Sequence, residues 1–136
     1  MFQLPVSAHI RPSPLIASHR RTSPHIAHGP KGFPSPKEGV EHPIRIEDGS
    51  LLSSVLDGHV TPPAISYHHQ AVDSLGVGFR ATAWAEDGHV EAMERSSGWF
   101  VCLQWHPEDT AHVDPAQQRI YDAFVERALH RAEKRR

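Results

Sequence analysis

At 136 residues, with 38% hydrophobic and 22% charged side chains, the chain is long enough for one globular domain and not two. A formal net charge of −2 excludes the basic surplus of a general nucleic-acid binder. No apolar run approaches the roughly 18 residues of a membrane span, and a lone cysteine, Cys102, excludes an internal disulfide.

Residues 1–37 differ from the rest. They hold five Lys or Arg, no Asp or Glu, and seven of the twelve prolines, which leaves nine basic against sixteen acidic side chains beyond them. Each proline removes an N–H donor, and the apolar residues form no stripe of either period. This stretch reads as a disordered or extended Pro/Ser/His/Arg-rich segment, with the folded domain over 38–136. It lacks the apolar core of a secretory signal, and its prolines spoil the amphipathic helix of an organelle transit peptide. The expectation is a cytoplasmic protein with neither a membrane nor a nucleic-acid partner. A shifted start or reading frame is an alternative origin for these residues.

Residues 42–46 alternate, with Ile44 and Ile46 on one face, and read as a strand. Asp48-Gly49 marks a turn. Ser50 caps a short helix whose apolar side is Leu51, Leu52, Val55 and Leu56, ended by Gly58. A short apolar segment from Pro63 to Ser66 runs into the polar string Tyr67-His68-His69-Gln70. Strands over 79–85 and 89–94 flank Glu86-Asp87-Gly88, and Asp-Gly there predicts a type I′ hairpin. Residues 99–105 are nearly all apolar, as expected of a strand buried on both faces. A final helix starts near Pro115, buries Ile120, Phe124 and Leu129, and ends in Lys134-Arg135-Arg136.

The pattern is α/β, with polar strings at strand ends, where open α/β sheets carry their sites. In His106-Pro107-Glu108 an imidazole at a strand end is followed two residues later by a carboxylate. Such a carboxylate can fix the tautomer and leave the other ring nitrogen free as a base. A solvated turn is the bland alternative. The string from Ser66 to Gln70 is either a polar loop or a substrate loop offering hydroxyl, imidazole and amide groups. Adjacent histidines on an extended segment point to opposite sides. No His pair has helical i, i+4 spacing, and the His-x-Glu at 106–108 lacks the cysteine pair of a zinc deaminase. The sequence therefore predicts no metal site and no cofactor. Cys102 and His106 are four residues apart on one predicted strand, roughly 13 Å, too far for a nucleophile–base pair. Cys102 reads as a small core residue.

Taken together, these strings carry a resemblance. Gly49-Ser50-x-Leu52 comes first, followed by Ser66-Tyr67-His68-His69-Gln70-Ala71-Val72 and Leu75-Gly76-x-Gly78. Ala83-x-Ala85-x-Asp87-Gly88-x-Val90-Glu91-Ala92-x-Glu94 and Gln104-Trp105-His106-Pro107-Glu108 complete the series. Over about residues 38–136 the chain resembles the C-terminal part of the class I glutamine amidotransferases, in their gamma-glutamyl-gamma-aminobutyrate hydrolase branch, the C26 peptidases. The resemblance implies the C-terminal portion of a flavodoxin-like α/β domain with an incomplete sheet. It implies a Cys-His-Glu mechanism on a small gamma-glutamyl compound, with His106 as base and Glu108 orienting it. Ser66, Tyr67, His68, His69 and Gln70 would line the substrate pocket. The family nucleophile sits in a Gly-x-Cys-x-Gly elbow, and this sequence has none; the family's usual glycine is replaced by Cys102. The expectation is a chain inactive alone. The alternatives are a non-catalytic module that binds gamma-glutamyl compounds, or half of a split enzyme whose partner chain supplies the cysteine.

Overall fold

The computed structural model describes residues 17–21, 39–57 and 63–136. The chain order is β1 (Ala17–Arg21), β2 (Val40–His42), β3 (Ile44–Ile46), α1 (Leu51–Leu56), β4 (Ala64–Ser66), β5 (Gln70–Leu75), β6 (Phe79–Ala85), β7 (Val90–Arg95), β8 (Val101–Leu103) and α2 (Pro115–Glu133). A single 3-10 turn, Pro107–Asp109, joins β8 to α2. One sheet has the order β1-β5-β7-β6-β3, with β8 also paired to β7, and a second small sheet joins β2 to β4. Every described strand pair is antiparallel. The architecture is mixed α/β.

Residues 42–46 form two strands, not one. Pro43 cannot donate to a ladder, so the chain breaks there. His42 pairs with Ala64 in the small sheet, and Ile44 pairs with Ala85 in the large one. Beyond the break the alternation holds. Ile44 is buried and Ile46 packs against the core, while Arg45 lies over the ring of its cross-strand partner Trp84 at 4.4 Å.

The hairpin between β6 and β7 forms where Asp87-Gly88 predicts it, with a different turn. Gly88 has a φ of +82°, and Asp57 is the sole non-glycine described with positive φ, so Asp87 does not fit type I′. The Gly88 N–H bonds to the Ala85 carbonyl, and the Ala85 N–H to the His89 carbonyl. This is a type I turn closed by a left-handed glycine, the other common hairpin solution.

The Ser50 side chain accepts from the Ser53 N–H at 2.9 Å and caps α1 as expected. The helix ends on Asp57, itself left-handed at φ 53°. Gly58 lies outside the described residues. Glu94, reaching across from β7, accepts from the Leu52 N–H at 2.6 Å and receives Arg80 at 3.2 Å. A buried carboxylate is thus satisfied by a helix N–H and a guanidinium.

The core is Ile44, Leu52, Leu56, Ala64, Ala83, Ala92, Trp105 and Ala116, with Val101, Leu103 and Ile120 against it. Trp105 anchors α2 by donating its indole N–H to Gln117 at 3.1 Å inside this core. Asp114 caps α2 through the Ala116 N–H, and Pro115 takes the first turn.

Three expectations change here. Only Val101–Leu103 of the apolar run is strand, and it is half-buried, because among the described residues it has a neighbour on one edge alone. Cys102 is accordingly half-buried rather than core, and burial pushes its thiol pKa up. On α2, Ile120 packs as expected, but Phe124 and Leu129 are each 60% exposed. Trp99 lies beside Phe124, with ring centroids 6.3 Å apart, but leaves it largely exposed. Strands β1 and β5 carry no clear sequence signal and pair with each other. The rest of the segment read as disordered or extended lies outside the described residues.

Candidate functional site

The buried Trp105 side chain and a backbone bond fix where β8 ends. The His106 N–H donates to the Ile65 carbonyl at 2.8 Å, tying this end to β4. Pro107 then opens the 3-10 turn and is itself buried. That turn brings Glu108 back onto the imidazole. His106 Nδ1 lies 2.7 Å from Glu108 Oε1. A carboxylate only accepts, so Nδ1 carries the proton of the neutral ring and Nε2 keeps its lone pair.

Glu108 has a second partner. Tyr121, from α2, donates its hydroxyl to Oε2 at 3.3 Å. Burial works against the Glu108 charge, but the bonds from His106, its own backbone N–H and Tyr121 outweigh it and hold the carboxyl below its usual pKa. Burial and then the Glu108 charge raise the Tyr121 phenol.

Tyr67 closes the other side. Its ring meets the His106 ring edge-on, with centroids 5.0 Å apart. Its hydroxyl donates to Asp109 Oδ2 at 2.6 Å, and that bond, with burial and the Asp109 charge, raises the phenol pKa. His106 is thus held by a carboxylate at one nitrogen and an aromatic edge beside it, while its side chain stays 44% exposed.

The five residues of the polar string part company. Tyr67 joins His106. Ser66 is fully buried and bonds His42 Nε2 at 2.9 Å. The His68 ring turns inward, with Nδ1 on the Gln70 carbonyl at 2.9 Å and Nε2 3.6 Å from Glu91. His69 and Gln70 are exposed, and Gln70 opens β5 opposite Arg21. The sequence reading missed Asp109 and Tyr121 at the pair, and the partnership of His42 with Glu91 behind Ser66. Asp109 adjoins the His-Pro-Glu string and could have been found; Tyr121 is thirteen residues from Glu108 on another element, with no local signal.

The family model for Peptidase C26 matches residues 8–108. That match starts well before residue 38, so the resemblance reaches further toward the N-terminus than the motifs alone suggest. Over 92 residues the chain is 34% identical to a glutamine amidotransferase-like protein, YvdE, of Lactococcus lactis, covering 68% of this chain and 38% of that one. A glutamine amidotransferase-like protein of Rickettsia prowazekii is 45% identical over 76 residues, 55% of this chain and 27% of its own. The gamma-glutamyl-gamma-aminobutyrate hydrolase PuuD of Escherichia coli is 30% identical over 97 residues, 70% of this chain and 38% of the enzyme. The chain therefore spans well under half the length of these relatives. With the family model matched over most of its length, the chain belongs to the Peptidase C26 family.

Proposed function

We propose that this chain carries the histidine and glutamate of a Cys-His-Glu hydrolase acting on small gamma-glutamyl amides. The observation that supports this most directly is the 2.7 Å contact between His106 Nδ1 and Glu108 at the end of β8, which leaves Nε2 free as a base.

In the proposed reaction His106 Nε2 takes the proton from a cysteine thiol, and the thiolate attacks the gamma-glutamyl carbonyl carbon. The tetrahedral intermediate collapses, the C–N bond breaks, and the imidazolium gives its proton to the leaving amine. Water, deprotonated by the same nitrogen, then opens the thioester to release glutamate and the thiol. Glu108 holds the tautomer and steadies the imidazolium. Tyr67 and the exposed His69 and Gln70 are the members of the substrate loop placed to meet a ligand, whereas Ser66 and His68 support it from behind.

Cys102 is the sole cysteine, half-buried on β8, with its thiol pKa raised. A raised pKa is the wrong direction for a nucleophile. The chain alone is therefore expected to be inactive, and the cysteine half comes from elsewhere in the functional enzyme. Purified chain is expected to release no p-nitroaniline from gamma-glutamyl-p-nitroanilide. Release abolished by Cys102→Ala would overturn this. Mixing with a relative's segment that carries a Gly-x-Cys-x-Gly elbow is expected to restore hydrolysis, with His106→Ala lowering it at least ~10³-fold. Restored hydrolysis that survives His106→Ala would remove the assigned role.

A further inference from the structure

We propose that His42, His68 and Glu91 form a site for a zinc-class divalent metal ion. Three separate elements bring them together: His42 ends β2, His68 follows β4, and Glu91 lies on β7. Their ligand atoms all lie within 4.8 Å of one another. His42 Nε2 is 3.7 Å and His68 Nε2 3.6 Å from the same Glu91 oxygen. His42 is 4% exposed, Glu91 0%, and the His68 side chain 11%.

The hydrogen bonds set the ligand character. His68 Nδ1 sits 2.9 Å from the Gln70 carbonyl, and His42 Nδ1 3.3 Å from the Pro43 carbonyl. A carbonyl only accepts, so each Nδ1 carries a proton and each Nε2 presents a lone pair inward. A ligating histidine that donates its other N–H to a backbone carbonyl is the usual support of a metal site. Two lone pairs and a carboxylate facing one point favour a cation at that point.

Two imidazoles and one carboxylate match zinc, whose bonds to nitrogen and oxygen run about 2.0–2.2 Å and whose three-ligand sites keep a fourth position open. Bonds of that length at tetrahedral angles separate the ligand atoms by roughly 3.3–3.6 Å, so the two contacts to Glu91, 3.6 and 3.7 Å, need to close only slightly, and the two imidazole nitrogens, within 4.8 Å of each other, must come into the same range. The Ser66 hydroxyl, 2.9 Å from His42 Nε2, donates there and gives up that acceptor when metal takes the lone pair. Metal occupancy is thereby coupled to the first residue of the substrate loop. The three positions are far apart in sequence, which is why spacing rules find no metal motif.

The test is equilibrium dialysis of chelator-treated chain against zinc, with metal analysis, and cobalt substitution read by visible absorption. The expected result is one zinc retained per chain and the intense bands of tetrahedral cobalt. Because twelve histidines can bind metal loosely, His68→Gln and Glu91→Gln are expected to weaken retention by more than about 100-fold. His130→Gln, on the exposed end of α2, should leave it unchanged. Failure of the wild-type chain to hold zinc, or weak octahedral cobalt bands, would overturn the proposal whether or not the variants fold. Unchanged affinity in a folded Glu91→Gln variant would do so too, and a proton shared among these groups would then be the occupant.

Discussion

His106 and Glu108 meet across two residues of sequence on an open turn, with side chains 44% and 56% exposed. His42, His68 and Glu91 meet from three distant elements in a place where the glutamate has no exposure at all. The chemical groups are the same and the surroundings are opposite. Water screens the outer pair, which therefore contributes little to stability and is free to exchange protons. In the inner cluster each group depends on its neighbours for solvation, so changes there are costly to the fold.

The largest effect separating the two is expected from Glu91→Ala, which empties a fully buried volume and removes a carboxylate shared by two imidazoles. A loss of roughly 2–5 kcal/mol is expected by urea melt. A loss under about 1 kcal/mol would break the contrast. Tyr67→Phe stands between, since it removes one half-buried hydrogen bond to Asp109. It should cost about 1 kcal/mol. Glu108→Gln, on the exposed side, should cost under about 1 kcal/mol, so a larger loss would mean the outer pair is structural.

The smallest effects are titrations, and they sharpen the contrast. Glu108 is held below its ordinary pKa. Its small contribution is therefore present above the unfolded-state pKa and lost as pH falls through the folded one. Carboxyl NMR is expected to report a Glu108 pKa below the usual range, moving up in His106→Asn. Tyr67 and Tyr121, the two tyrosines, both ionise late. Their contribution is present below the unfolded pKa and lost as pH rises through the folded value. Absorbance titration should show both phenols shifting down in Asp109→Asn, Tyr67 the more, since Asp109 bonds Tyr67 and its charge reaches Tyr121 as well. Two unshifted phenols in the wild type would contradict the contacts drawn for both rings.

Much of the fold was legible because its signals are local. The Ser50 cap, the Asp87-Gly88 hairpin and the Pro115 helix start each depend on a few adjacent residues. Errors came where packing overrides pattern. Phe124 is four residues from Ile120 and shares its face, but spacing cannot say what packs against it; Leu129, nine residues on, points to the opposite side of the helix. Residues 42–46 alternate like one strand, but Pro43 sends their two halves to different sheets. Strand β5 begins in a polar string whose ladder bonds, to β1 and β7, lie far away in sequence.

The sequence by itself determined the His106–Glu108 pair and the family, since a His-Pro-Glu turn closes on itself and the motifs recur in fixed order. Only the tertiary structure decided which way the polar string faces. It turned Tyr67 toward His106, and Ser66 and His68 toward His42 and Glu91. Extended backbone alternates its side chains, so one string faces two different surroundings. Which neighbours wait on each side is set by strands that pair across long loops, and no local pattern records that.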